Sequence, residues 1–393
     1  MRTTSELETK ETMKSIAIIT EFDFESVNYG NNLQAYALNF FFRKYYQNYR
    51  VETLLIDKST GIQVTSWYYY LKRIKSKIAL LLKNKENYNV TMRRKKFNEF
   101  AKNNIHFSDE IYSYSTLTNS LFDYYFVGSD IVWLQKPNFI NKFKFLAFKP
   151  QKRDAQKIAY AASFGENILP KENKKFIVKY LSDFNMISVR EAKSISFLDN
   201  IQIKGAVHVC DPTLLLTVTD WNLVANDISK TRKHMNREYA FVYILGDNKK
   251  EKIIKELCES INIVPLFIDS NNTYTNEILD EYSVNDCSPQ EWIWLLKNAK
   301  YVFTDSFHGL IFATIFKKPF LVIKRASKRN LNVRLTDYLE TIDELDKLVD
   351  IEELEVLDNF RWDYKKIDYK IKELVAFSKN FINESLKNNQ SHN

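Results

Sequence analysis

Residues 301–323 read YVFTDSFHGLIFATIFKKPFLVI. The apolar run 301–304 suits a buried strand. Ser306-Phe307-His308-Gly309 follows as a turn, and an apolar helix is expected from near Leu310 through Ile315. Residues 320–323 make a further strand. Strand, helix and strand in direct succession form the unit of a parallel α/β sheet. Working upstream, Ser288-Pro289-Gln290-Glu291 is a helix start, with serine as cap, proline at the first position and glutamate three residues after the cap. Residues 263–268 and 239–245 read as strands around a helix at 249–260. This alternating set begins after a polar, charged stretch at 217–238.

An earlier set has the same rhythm. Residues 15–20 (SIAIIT) form a strand, and Gly30-Asn31-Asn32 opens a helix with Leu33, Ala37, Leu38 and Phe41 on one face. Residues 51–56, 124–127, 157–161, 186–189 and 207–209 read as further strands. Four of these run into polar turns: Gly128-Ser129-Asp130, Ala162-Ser163-Phe164-Gly165, Arg190-Glu191 and Asp211-Pro212-Thr213. Two such sets imply two doubly wound α/β domains, at 15–216 and 217–345. A disordered lead, 1–14, precedes them, and helices with a polar tail, 346–393, follow. Open α/β sheets bind ligands beyond the carboxyl ends of their strands. The polar turns all fall there, which puts the functional surface in a cleft between the domains.

A chain of 393 residues with 45% hydrophobic residues can bury two cores. The net charge of +8 is local: residues 65–102 hold eleven Lys or Arg against Glu86 and Glu99. The remainder is near neutral, which argues against a nucleic-acid binder. Within that insertion, 60–105, Trp67, Leu71, Ile74, Ile78 and Leu81 recur at helical spacing opposite Lys72, Arg73, Lys75 and Lys77. A second basic helix holds residues 93–96. The arm reads either as an amphipathic helix packed on the first domain or as a peripheral contact with anionic membrane. The first residues lack the apolar core of a secretory signal, and no run approaches the ~18 apolar residues of a membrane span. Cys210, Cys258 and Cys287 form no metal or disulfide pattern. The expected location is cytoplasmic, with the membrane reading of the arm placing it at the inner face.

GxGxxG, GxxxxGK[ST], HExxH, GxSxG and Asp-x-Asp are all missing, so metal-dependent and nucleotide-hydrolysing readings lose weight. His308 stands out among the remaining residues. A histidine between a strand and a helix N-terminus can donate to an anion or move a proton, or can simply satisfy a turn. Gly309 allows close backbone approach. Arg190 suits bidentate carboxylate binding or a surface ion pair. Asp211 and Asp130 read as turn aspartates or site carboxylates. Of the basic residues after 323, namely Lys324, Arg325, Lys328, Arg329 and Arg334, most read as a solvated face.

Taken in order, these segments resemble the polysaccharide pyruvyl transferase family. Asn28-Tyr29-Gly30-Asn31-Asn32-Leu33-Gln34-Ala35-Tyr36-Ala37-Leu38 is similar to its opening motif. Gly128-Ser129-Asp130 with Trp133 is similar to the second block. The remaining blocks are residues 159–165, 188–191, 211–215, and 288–320 with Ser306-Phe307-His308-Gly309. Ile131 and Leu134 depart from the family, which usually has Gln and often Asn there. The resemblance spans about 16–339.

The resemblance implies two facing Rossmann-like domains of the glycosyltransferase-B type. It also implies transfer of a pyruvyl group from phosphoenolpyruvate to hydroxyls of a sugar or lipid-linked glycan, with no cofactor. His308 and Asp211 would be catalytic. Arg190, Ser306, Gly309, Arg325 and Arg334 would bind the donor. Gly30, Asn31, Gln34, Ser129, Asp130 and Ser163 would line the substrate site. Two alternatives stay open: a nucleotide-sugar glycosyltransferase, to which the Glu344 and Glu352 spacing points, and a catalytically silent glycan binder.

Overall fold

The structure is a computed structural model and describes residues 13–64, 88–226, 237–245, 248–268, 282–325, 332–350, 352 and 360–387. Most of the expected lead, the Trp67 to Leu82 part of the basic arm, part of the 217–238 break, Lys328, Arg329 and the end of the tail lie outside these residues.

Two parallel sheets organise the chain. The strands are β1 (Ser15–Ile19), β2 (Arg50–Ile56), β3 (Ile62–Val64), β4 (Phe107–Tyr112), β5 (Tyr124–Val127), β6 (Phe139–Asn141), β7 (Gln156–Ala162), β8 (Met186–Val189), β9 (Val207–His208), β10 (Tyr239–Tyr243), β11 (Val264–Ile268), β12 (Ser283–Val284), β13 (Tyr301–Thr304), β14 (Phe320–Ile323) and β15 (Leu348–Val349). The first sheet runs β4-β2-β1-β5-β7-β8-β9 and the second β12-β11-β10-β13-β14-β15. Every pairing within them is parallel. β3 and β6 form a separate antiparallel ribbon.

Each large sheet winds outward in both directions from its first strand, the Rossmann-like order. This puts a topological switch point between β1 and β5 in one sheet and between β10 and β13 in the other. The central strands are buried along their whole length, as in SIAII of β1, YYFV of β5 and YAFVY of β10. Near-continuous apolar runs of this kind mark strands covered on both faces.

The two halves share one large core, which takes in residues from both sheets and their helices. Tyr29 opens the helix Tyr29–Tyr45. Its ring stacks on Trp292 of the second domain at 5.4 Å, and its hydroxyl donates to the Cys287 carbonyl at 2.9 Å. The last helix, Tyr364–Lys387, returns to the first sheet: the Tyr124 hydroxyl donates to the Leu386 carbonyl, and Cys210 N–H donates to Ser378 Oγ. The second sheet also extends past the expected boundary at 345, to β15.

The second half of the basic arm is a structural strut. Helix Tyr88–Asn104 buries Phe97, Phe100 and Ala101 in the shared core, and Arg93 is fully buried. Lys96 pairs across to Asp286 and Glu291 of the second domain at 3.0 and 3.2 Å. For this half of the arm the packed-helix reading therefore holds, with the apolar side chains also closing the domain junction. Among the described residues no helix is long and apolar enough to cross a membrane.

Candidate active site

The two switch points meet. Ser306 caps the helix Phe307–Ile315, which follows β13, its Oγ accepting from the Gly309 N–H at 3.4 Å. The helix starts three residues earlier than the sequence suggests, so His308 sits inside its first turn. The capping bond occupies the Gly309 N–H and accounts for Ser306 by local structure rather than by ligand contact. Gly309 has a packing cause too: a Cβ there would lie 2.4 Å from Thr304 Oγ1.

The His308 imidazole crosses to the first domain. Its Nε2 lies 3.5 Å from Asp211 Oδ2, and its side chain is 7% exposed. Its Nδ1 edge presses on the helix after β1, where a Cβ added to Gly30 would fall only 2.1 Å away. Gly30 therefore makes room for a histidine that belongs to the other domain. Its neighbour Asn31 takes part in the helix cap, donating its N–H to Asn28 Oδ1 at 3.2 Å.

Asp211 is fully buried and fixed from several sides. It caps the short helix Pro212–Leu215, accepting from the Thr213 N–H at 3.0 Å and hydroxyl at 2.7 Å. Ser129 Oγ donates to it at 3.2 Å, and Arg190 Nη1 at 3.1 Å. Burial would raise its pKa, but His308 first, then Arg190 and the Thr213 N–H, hold the carboxyl well below the usual carboxylate range.

Arg190 differs from the expectation. Its side chain is 1% exposed and mostly committed within the protein: Nη1 also donates to Asp130 at 3.2 Å, and Nε to Glu191 at 3.0 Å. Its guanidinium lies 4.1 Å over the Phe307 ring. Burial alone would loosen its proton, yet Glu191, Asp130 and Asp211 outweigh that and hold it more firmly than usual. Only Nη2 lacks an intramolecular partner, so Arg190 is a hub first.

Arg334 is the less satisfied cation. It comes from helix Asn332–Thr341, and its only ion pair among the described residues is a long one, 3.7 Å to Asp130. Burial and then repulsion from Arg190 pull its pKa down to about 10. Asp130 titrates below its usual value because Arg190, His308 and Arg334 overcome its burial. Arg325 donates to the Asp305 carbonyl at 3.0 Å and stands 3.4 Å from its carboxylate.

The other candidates build the walls. Gln34 is fully buried and accepts from Thr20 Oγ1 at 3.0 Å and the Ser129 N–H at 3.3 Å, while donating to the Glu21 carbonyl at 3.2 Å. Ser163 N–H donates to the Asp130 carbonyl at 3.1 Å, and its own carbonyl accepts from Trp133 N–H. Ile131 and Leu134 pack toward Gly165. Glu344 is paired with Lys347 at 3.2 Å, which removes it from the spacing argument.

Sequence reasoning missed Asp337. Its carboxylate accepts from the Ala192 and Lys193 N–H groups at 2.9 and 3.0 Å, so the helix that carries Arg334 also caps the chain just after Arg190. No motif signals it, because an aspartate one turn inside a helix looks like any solvated charge. Glu191 was visible only as part of a block.

A family model described as polysaccharide pyruvyl transferase matches residues 28–327. No curated protein sequence matches the chain significantly. Among solved structures, the chain is similar to a UDP-GlcNAc 2-epimerase from Neisseria meningitidis bound to UDP-GlcNAc, at 10% identity and TM-score 0.45, covering 95% of this chain and 94% of that one. It is also similar to a UDP-GlcNAc 2-epimerase from Methanocaldococcus jannaschii, at 12% identity and TM-score 0.46, covering 92% of each chain.

Proposed function

The chain belongs to the polysaccharide pyruvyl transferase family and is a transferase, and from that premise we propose that it carries a pyruvyl group from phosphoenolpyruvate to two hydroxyls of a sugar in a cell-surface polysaccharide or its precursor. The observation that supports this reading most directly is the buried His308 held against Asp211 between two arginines, where both switch points meet.

The chemistry needs few groups. A proton added to the methylene carbon of phosphoenolpyruvate leaves an oxocarbenium-like centre at the phosphate-bearing carbon. One sugar hydroxyl attacks that carbon and loses its proton. The carbon–oxygen bond to phosphate then breaks, and the second hydroxyl closes the ketal. The two hydroxyl protons end on the new methyl group and on the departing phosphate. In this scheme His308, as imidazolium beside Asp211, gives the first proton and takes back the proton of the attacking hydroxyl. Arg334 receives the donor's anionic groups, because a buried and poorly neutralised guanidinium gains most from a new anion. The unused Nη2 of Arg190 adds a second contact.

Two outcomes follow. Arg334→Lys keeps the charge but loses the planar fork, so the KM for phosphoenolpyruvate should rise about tenfold, the scale of one charge-assisted hydrogen bond, with the acceptor KM unmoved. An unchanged donor KM would place the anion elsewhere. Gly30→Ala improves helix propensity by up to ~1 kcal/mol, yet its methyl would overlap the His308 ring. Turnover should fall on the order of 100-fold, the cost of a misplacement of ~1 Å, and the overlap should cost ~1–3 kcal/mol of stability, so turnover is read on the folded fraction. Full turnover in that variant would show that the ring does not need its seat on Gly30. The deciding assay for the whole reading is incubation with labelled phosphoenolpyruvate and a glycan acceptor. Phosphate release with label on the glycan supports it, and consumption of a nucleotide sugar instead overturns it.

A further inference from the structure

On the proposed reading, the site around His308 takes a small, highly charged donor. A separate cavity of about 660 Å³ opens at the carboxyl ends of β1, β2 and β4. Its volume is in the range of ~300–1,000 Å³ found for small-molecule sites. It is bounded by the 20–24 loop after β1, the end of β2 at Asp57 and Lys58, and the ribbon side at Asn141, Phe143 and Lys144.

Two features of this cavity define what it can hold. Phe22, Phe24 and Phe143 supply aromatic faces; the rings of Phe22 and Phe24 meet edge to face at 5.0 Å. The charged lining consists of three carboxylates, Glu21, Asp23 and Asp57, against two ammonium groups, Lys58 and Lys144. Lys144 is paired with Glu21, and Lys58 with Asp23 at 2.5 Å. Asp57 accepts from the Ser59 N–H and hydroxyl. An ionised carboxylate has about four acceptor positions, so each keeps positions free for hydroxyl donors. With three carboxylates against two ammonium groups, the lining keeps one negative charge in excess, which disfavours an additional anion.

The cavity is wired to the catalytic cluster. Gln34 donates to the Glu21 carbonyl in the cavity wall and accepts from the Ser129 N–H on the other side. Ser129 Oγ in turn donates to Asp211, which faces His308. A ligand that shifts the 20–24 loop thus presses on the group that orients the imidazole.

We propose that this cavity is the acceptor subsite and that it selects an uncharged hexose unit, packed on the phenylalanines and held through its hydroxyls by Glu21 and Asp23. Uronic acids and phosphorylated sugars are turned away by the acidic lining. This inference deepens the transferase reading and rests on it for the word acceptor, but binding can be tested without transfer.

Saturation-transfer NMR on the full chain should show methyl glucoside, methyl mannoside or methyl galactoside in contact, and methyl glucuronide at least tenfold weaker. Glu21→Gln and Phe22→Ala should each weaken the bound glycoside about five- to tenfold, with a smaller change in phosphoenolpyruvate binding, both read on the folded fraction. Binding of methyl glucuronide equal to that of the neutral glycosides overturns the selectivity. Variants that weaken phosphoenolpyruvate but not the glycoside overturn the subsite. If neutral glycosides bind and depend on Glu21 while no phosphoenolpyruvate is consumed, the subsite stands and the transfer reading fails.

Discussion

His308→Ala should lower the rate of pyruvyl transfer by about 10²–10⁴, the usual worth of a positioned general acid and base. The expectation rests on three features that coincide at no other described residue. The imidazole is buried, it faces an ionised carboxylate at 3.5 Å, and it has a glycine-shaped seat on the opposite domain. His308→Gln provides the control: it keeps a polar side chain of similar reach but cannot cycle a proton, so it should be as slow as alanine. Both variants leave the buried Asp211 without the imidazole opposite it and should lose some stability, so turnover is compared on the folded fraction. Parental turnover in His308→Gln would mean that the residue positions the donor and that the proton comes from elsewhere. The assay reads phosphate release under saturating phosphoenolpyruvate and acceptor, so that a change in binding is not mistaken for one in chemistry.

Arg190→Met should have the largest effect on stability. The guanidinium is the common partner of Asp130, Asp211 and Glu191, all of them buried. Removing one member of a buried ionic cluster leaves uncompensated charge and costs about 3–5 kcal/mol. The pH dependence identifies the cause. In the parent, Asp130 and Asp211 have lowered folded values, so their contribution is complete above the unfolded range near pH 4 and is lost only in stronger acid. Without the arginine, burial is opposed mainly by His308 and, at Asp130, by Arg334, so the folded values are expected to rise past the unfolded ones. The variant should then regain stability as the pH falls from 7 toward 5, a range over which the parent's contribution from these groups stays constant. Urea melts at the two pH values measure this directly. An equal deficit at both would mean that Arg190 acts through its packing over Phe307 and not through charge.

Several of these residues were legible before any coordinates. The opening glycine motif, Asp130, Arg190, Asp211 and His308 all lie at carboxyl ends of strands, and strand ends can be read from short apolar runs. The structure keeps them together but redistributes their work. Ser306 and Gly309 are explained by a helix cap and by contact with Thr304, and Gln34 and Ser163 brace the loops behind the site. Elements with weak local signals were missed. β4 (FSDEIY) is an edge strand with three exposed positions in a row, so it lacks alternation. β12 and β15 are two residues long. Arg93 and Lys96 were legible only as part of a basic helix, whereas one is fully buried and the other bridges domains.

The sequence by itself determined the alternation of strands and helices, because burial on two faces of a parallel sheet forces contiguous apolar runs, and caps such as Ser288 with Glu291 act over a single turn. It also determined which polar residues stand at strand ends. Only the tertiary structure decided which of them meet. Gly30 accommodates His308, Asp337 holds the chain beside Arg190, and Arg190 is neutralised by three carboxylates because two separately wound sheets dock with their switch points together. Docking of that kind depends on the summed shape of two surfaces and on charges brought within a few ångströms, neither of which leaves a periodic trace along the chain.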